Sequence, residues 1–378
     1  MERDSMPPIS VLIKPASAKC NLNCEYCFYK DIAYNRKVAD YGFMDAETLR
    51  EIVKKVLEFA DDTATFSFQG GEPTLCGLEF YKDLLKYQEL YNKKKVRINN
   101  CMQTNGLLLD DEWAGFLHGH NFLVGLSLDG PQKLHDKYRA DARGMGTYQA
   151  VIQKARLLEK FKVDFNILFV VTSALAESPG KAYTFFRKNR FDFLQFIPCL
   201  DPLASKRGKN DFSLLPRDYT LFLKKFFDRW SEDILAGRDV SVRYFNNLVL
   251  MVMGGEPDAC SMNGFCSCQF VFESDGSCYP CDFYVTDEWR LGNIRDMGIM
   301  ELYKSENNRR FLKTGAVEAE ECKSCKWRRL CRGGCRRDRE DALKNELTSN
   351  YYCRSYYEFL EYAYPKLTEI TRFICAVR

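Results

Sequence analysis

Three cysteines fall within eight residues, Cys20, Cys24 and Cys27 of "CNLNCEYCF", in the pattern C-x3-C-x2-C. One loop with that spacing can hold three thiolates around a single iron–sulfur cube, which has a fourth iron to spare. A small molecule can bind that open iron directly, and an electron can pass into it. A structural zinc site completed by a distant ligand is the competing reading.

A second concentration of thiols lies between residues 255 and 353, which hold ten of the seventeen cysteines. The spacing runs Cys260-x5-Cys266, nine residues to Gly276, four more to Cys281, then Cys322-x2-Cys325-x5-Cys331-x3-Cys335-x17-Cys353. Eight thiols make two sets of four. Fully ligated cubes suit electron transfer or structure, and two zinc ribbons compete on this segment because C-x2-C pairs are common zinc ligands. Cys76, Cys101, Cys199, Cys268, Cys278 and Cys375 are expected to be buried or incidental thiols. His118, His120 and His135 show no metal-ligand spacing.

An odd number of cysteines without a secretory signal argues against a disulfide framework and for a reducing compartment, the cytoplasm. The leader "MERDSMPPIS" lacks an apolar core, and no run of about 18 apolar residues offers a membrane span. With 55 basic against 52 acidic residues there is no global electrostatic reason to bind nucleic acid. The locally basic "KWRRLCRGGCRRDR" reads as a solvated or cluster-flanking face.

The elements that must position these thiols are legible between residues 9 and 200. Six apolar runs, "ISVLIKP", "TATFSFQGG", "VRINNCMQTNG", "NFLVGLSLDG", "VDFNILFVVTS" and "FDFLQFIPCL", read as strands. Amphipathic helical stretches separate them. Alternation of this kind implies parallel pairing through right-handed crossovers, in a partial barrel or an open doubly wound sheet. Sites then belong at the C-terminal strand ends, and the three-cysteine loop follows the first strand. A helix near 215 to 236 bridges to the cysteine-rich part, which buries too little apolar surface to stand without metal. The tail reads as a closing helix interrupted by Pro365.

Tyr26 and Phe28 inside the three-cysteine loop, its place after strand one, and "GGEP" at 70–73 after strand two together resemble the radical S-adenosylmethionine (SAM) enzymes. The resemblance implies an α/β fold, a partial (β/α)6 TIM-like barrel, and SAM chelated at the open iron of a 4Fe-4S cluster. Reductive cleavage would then give a 5′-deoxyadenosyl radical. Tyr26, Gly70, Gly71, Ser127, Arg139 and Leu200 are the SAM contacts it implies, with Arg139 suited to the carboxylate through its planar fork. Seen alone, Ser127 is a turn residue and Arg139 a surface charge.

The C-terminal spacing is similar to the SPASM extension of peptide-modifying radical SAM enzymes. That likeness assigns Cys260, Cys266, Cys281 and Cys335 to an auxiliary cluster near the active site, and Cys322, Cys325, Cys331 and Cys353 to an outer one, for three 4Fe-4S clusters in all. The expected organisation is a radical SAM barrel over 1–236, a SPASM/twitch domain over 237–353 and a C-terminal helix over 354–378.

Within that superfamily the chain resembles the anaerobic sulfatase-maturating enzymes, most densely in "IKPASAKCNLNCEYCFY", "FSFQGGEPTL", "SLDGPQKLHDKYR", "FESDGSCYPCDFYV" and "CKSCKWRRLCRGGCRRD". The resemblance implies oxidation of a sulfatase cysteine or serine, in a Cys/Ser-x-Pro/Ala-x-Arg motif, to Cα-formylglycine. In that scheme the radical abstracts hydrogen from Cβ, Asp282 accepts the thiol or hydroxyl proton, and the electron leaves through the nearer auxiliary cluster. An external reductant such as flavodoxin or ferredoxin is implied as partner. Read without the resemblance, Asp282 is a loop carboxylate bonding backbone amides. A peptide maturase forming thioether or carbon–carbon cross-links is the alternative enzyme, disfavoured because only about eight residues precede the first strand. A zinc-bound scaffold is the non-enzymatic alternative.

Overall fold

The computed structural model describes residues 8–203, 205–341 and 346–377; the start of the leader, residues 1–7, lies outside the described residues. Each of the six apolar runs forms a strand: β1 (Ile9–Ile13), β2 (Thr63–Phe68), β3 (Arg97–Thr104), β4 (Leu123–Ser127), β5 (Phe165–Val171) and β6 (Phe193–Pro198). They pair in chain order and all in parallel. Parallel neighbours need crossovers, and helices supply them: α1 (Phe28–Tyr34) and α2 (Ala46–Phe59) after β1, α3 (Gly77–Tyr91) after β2, and α4 (Asp111–Gly119) after β3. Then follow α5 (Gln132–Tyr138) and α6 (Tyr148–Lys160) after β4, and α7 (Ser173–Ala176) and α8 (Pro179–Lys188) after β5.

Local sequence explains these elements. Asp45 caps α2 by accepting the Thr48 amide at 2.7 Å, and Leu49, Ile52, Val53, Val56 and Leu57 place one buried stripe against the sheet. Each such side chain contributes about 1.5–3 kcal/mol on burial, so the face outweighs the single cap, worth about 1 kcal/mol. The expected bridge is α9 (Pro216–Leu235), opened by a proline at its first turn.

The sheet runs beyond the six expected strands. Among the described residues it has ten, in the order β10-β9-β8-β1-β2-β3-β4-β5-β6-β7. At one edge β7 (Ser241–Val242), which leads into α10 (Arg243–Val252), adds in parallel to β6. At the other, β8 (Val271–Phe272) pairs in parallel with β1, and β9 (Ser277–Tyr279) and β10 (Gly292–Asn293) continue antiparallel. Two- and three-residue strands carry no legible alternation. Their consequence is large: Lys14 donates its amide to Phe272 O at 2.8 Å, so the cysteine-rich region is stitched to the strand that precedes the three-cysteine loop.

The closing helix is not interrupted. It runs Cys353–Val377 with Pro365 inside. The proline removes one backbone donor, but Phe359, Leu360, Ala363, Leu367 and Ile370 are all buried on either side of it. Phe359 meets Phe227 of α9 with ring centroids 5.5 Å apart. Among the described residues no helix is long and apolar enough to cross a membrane.

Candidate active site

One cavity opens at the C-terminal ends of β1 to β6. Cys20, Cys24 and Cys27 line it together with Tyr26, Gly70, Gly71, Ser127, Arg139 and Leu200, so the three thiols and all six expected SAM contacts share one space. Burial pushes the Cys24 thiol up to about 11, while Cys20 is exposed. Thiols so placed lose their protons on binding metal, as cluster ligands must.

The glycines of "GGEP" are required by geometry. Gly71 has φ +56°, and a Cβ there would lie 2.2 Å from the Lys19 carbonyl oxygen. Gly70 has φ +86° and its Cβ would meet the buried stem of Lys14. Next to them Glu72 ties two strand ends together: Oε1 accepts the hydroxyl of Thr104 at 2.6 Å and Oε2 the amide of Asn105 at 2.8 Å. Asn105 Nδ2 reaches Cys20 Sγ at 3.8 Å.

Arg139 is not a surface charge. It is buried, and its Nε donates to Asp129 Oδ2 at 2.9 Å. The Tyr26 hydroxyl donates to the same oxygen, while Asp129 Oδ1 accepts the Val170 amide at 2.9 Å. His135 completes this frame. Its Nδ1 accepts the Asp129 amide at 3.3 Å and its Nε2 sits 3.0 Å from Thr147 Oγ1. Thr147 in turn donates to the Arg139 carbonyl at 3.1 Å. Ser127 accepts from Gln103 at 3.0 Å.

Asp282 lies where this cavity meets the cysteine-rich region. It follows Cys281 in sequence, and Tyr29 and Gln69, both lining the cavity, hold its Oδ2 at 2.6 and 3.4 Å. Its Oδ1 is buried without a hydrogen-bond partner among the described residues. Burial pushes the carboxyl above the usual carboxylate range, opposed by the nearby Lys14 cation and the Tyr29 hydrogen bond. Lys14 is itself buried, 3.7 Å from Glu273, which also pairs with Arg36.

Beyond Asp282, Cys260, Cys266, Cys281 and Cys335 line a second cavity. Cys335 thus joins the set that is remote from it in sequence. Helix residue Gly315 leaves room for this set, since a Cβ on it would stand 2.6 Å from Cys266 Sγ. Burial pushes Cys266 up to about 11, while Arg336 and Arg339 pull it down. Cys322, Cys325 and Cys353 lie close enough to Cys331 for their charges to act on it, which makes a third group. The six remaining cysteines divide: Cys199 and Cys278 are buried, Cys76, Cys101 and Cys268 half-buried, and Cys375 exposed.

Among the described residues no His, Cys, Asp or Glu cluster forms a single-ion site. Thiols that surround a multi-atom cluster stand wider apart than donors sharing one ion at about 2.3 Å. The donor chemistry fits clusters: thiol sets of three and four, a glycine cradle beside the first, and buried guanidinium Nε atoms of Arg336 and Arg339 that have no partner among the described residues.

Sequence reasoning missed Tyr29, Gln69, Asp129, Glu72, Lys14 and His135. All six lie inside the quoted motif stretches, but no spacing among them marks a role. The basic run splits: Arg328 and Arg329 are exposed, whereas Arg336, Arg337 and Arg339 are buried.

Residues 15–173 match the radical SAM superfamily and residues 260–326 the SPASM iron–sulfur cluster-binding domain. The chain is 53% identical to the cysteine-type anaerobic sulfatase-maturating enzyme of Clostridium perfringens over 97% of this chain and 99% of that one. It is 33% identical to the serine-type enzyme of Bacteroides thetaiotaomicron, over 95% and 90%. Its structure superposes on native anSMEcpe with bound AdoMet and Cp18Cys peptide with TM-score 0.94 and 52% identity, covering 97% of this chain and 100% of that one. Likeness to Streptococcus suis SuiB, at 16% identity and TM-score 0.63, extends to the fold alone. Shared motifs, matching domains and whole-length identity make one conclusion: the chain is a radical SAM enzyme with a SPASM domain and belongs to the anaerobic sulfatase-maturating enzymes.

Proposed function

We propose that this chain oxidises a cysteine of a sulfatase polypeptide, within a Cys-x-Pro/Ala-x-Arg motif, to Cα-formylglycine. The preference for cysteine over serine rests on 53% identity to a cysteine-type enzyme against 33% to a serine-type one. When bound, SAM and its cluster supply a hydrogen-abstracting radical, and the auxiliary clusters supply an electron sink.

The protein's own residues do the rest. Cys20, Cys24 and Cys27 hold the open-site cluster, and Tyr26, Gly70, Gly71, Ser127, Arg139 and Leu200 bound the SAM space. Asp282 Oδ1 takes the substrate thiol proton; Tyr29 and Gln69 fix the carboxylate through its other oxygen. Burial makes it a better proton acceptor than an exposed aspartate. Cys260, Cys266, Cys281 and Cys335 hold the inner auxiliary cluster and Cys322, Cys325, Cys331 and Cys353 the outer. The barrel takes residues 1–236, the SPASM/twitch part 237–353 and the closing helix 354–378. Flavodoxin or ferredoxin is the reductant in this reading, and free cysteines throughout suit a reducing cytoplasm.

The observation that carries this reading is the position of Asp282, held from the SAM cavity by Tyr29 and adjoining Cys281 of the inner thiol set. Anaerobic incubation of reconstituted enzyme with SAM, dithionite and a Cys-type sulfatase peptide tests it. Mass spectrometry should show sulfur and two hydrogens replaced by oxygen. Loss of two hydrogens alone would mean a cross-link and would refute the proposal.

A further inference from the structure

We propose that Arg336 and Arg339 raise the reduction potential of the inner auxiliary cluster, each presenting a buried charge and a free Nε–H to the four-thiol cavity. The inference rests on Cys260, Cys266, Cys281 and Cys335 being cluster ligands, and assigns these arginines a role as positioning residues for the electron that leaves the substrate.

Both arginines line that cavity, and both pull the Cys266 thiol down through their charge. Their side chains are buried, and each Nε is without a hydrogen-bond partner among the described residues. Arg339 spends its terminal nitrogens on the carbonyls of Val317 at 2.6 Å and Gly315 at 2.7 Å, which are neutral acceptors. Arg336 donates to Phe311 O at 3.1 Å and Thr314 Oγ1 at 2.7 Å, and meets one carboxylate, Glu340, at 3.3 Å. That carboxylate is shared with the Tyr284 hydroxyl at 2.7 Å. Two buried cations thus stand at the four thiols, where Arg336 meets the Glu340 carboxylate and the carboxylates of Asp282 and Asp338 lie near Cys281 and Cys335.

A buried charge needs an opposite charge close by. A thiolate-ligated cube is anionic and becomes more so on reduction, so it supplies that charge, and nearby cations and N–H···S contacts favour its reduced form. The guanidinium of Arg336 is also held rigidly. It stacks over Tyr284, Trp289 and Phe311, with centroid distances of 5.0, 4.8 and 4.7 Å, which keeps water from screening it.

The test is an anaerobic redox titration, followed by electron paramagnetic resonance, of the full chain with Cys20, Cys24 and Cys27 replaced by alanine, so that only the auxiliary clusters contribute. In Arg336→Met, and separately Arg339→Met, one of the two midpoints should fall by an amount equal to a tenfold change in the oxidised-to-reduced ratio, about 59 mV for one electron. Arg336→Lys, which keeps the charge, should move it less. Unchanged midpoints in both methionine variants at parental iron content would overturn the proposal. If those variants lose iron, the unmutated chain decides: isotopically labelled arginine nitrogen should couple magnetically to a reduced auxiliary cluster, and absence of coupling overturns the proposal. A parent chain without auxiliary clusters would instead bring down the ligand assignment itself.

Discussion

The Tyr29 hydroxyl donates to Asp282 Oδ2 at 2.6 Å across 253 residues of sequence, and Gln69 bridges the two from β2's C-terminal side, 2.6 Å from the tyrosine oxygen. The hydrogen bonds that join α1 and the end of β2 to the carboxylate beside Cys281 are thus made by side chains. A hydrogen bond to a charged group contributes about 1.5–3 kcal/mol. Tyr29→Phe should lower aldehyde formation by roughly tenfold or more. Release of 5′-deoxyadenosine should change far less, as chromatography of the same reactions would show.

Gly71→Ala addresses the cradle. The added methyl group would lie 2.2 Å from backbone, at a φ of +56° that side chains rarely adopt, so the loop must move. SAM binding measured by equilibrium dialysis should weaken by about tenfold or more, while the auxiliary clusters and their iron remain. Unaltered SAM affinity would show that Gly71 does not border the cofactor.

Gly315→Ala should act on the inner cluster alone. Its Cβ would lie 2.6 Å from Cys266 Sγ and 2.7 Å from Cys266 Cβ, so the ligand must shift from its place among the other three thiols. Iron and sulfide per chain should fall by about a third, the share of one cube in three. Retention of all the iron would remove Cys266 from the ligand set.

His135 links pH to stability. Burial lowers its value from 6.5 to about 4. A folded value depressed below the unfolded one means the neutral ring's contribution is complete above 6.5 and is lost as pH falls toward 4. At pH 5 the loss is about 2 kcal/mol. Urea midpoints of the unmutated protein should therefore drop more between pH 7.5 and 5 than those of His135→Gln; parallel decreases would show that the ring does not stay neutral.

Much of the barrel was legible because its strands are long, alternate with amphipathic helices and end in turn formers. Strands β7 to β10 were not, being two or three residues long and fixed by pairing rather than by pattern: β7 to β6, β8 to β1, and β9 and β10 in turn beyond β8. Pro365 misled for a related reason: its local cost was visible, whereas the buried face of Phe359, Ala363 and Leu367 that offsets it depends on α9. The thiols announced themselves by spacing. Their neighbours did not, because nothing in the separation of Tyr29 from Asp282, or in a run of six arginines with two facing solvent, one half-buried and three buried, reports which way a side chain points.

The central chemical assignment is proton acceptance at Asp282, and the ratio of aldehyde to 5′-deoxyadenosine in Asp282→Asn tests it most directly. With parental iron content and a Cys-type sulfatase peptide under anaerobic conditions, the variant should keep releasing 5′-deoxyadenosine while aldehyde falls by about a hundredfold. Aldehyde formed at the unmutated rate would contradict the assignment.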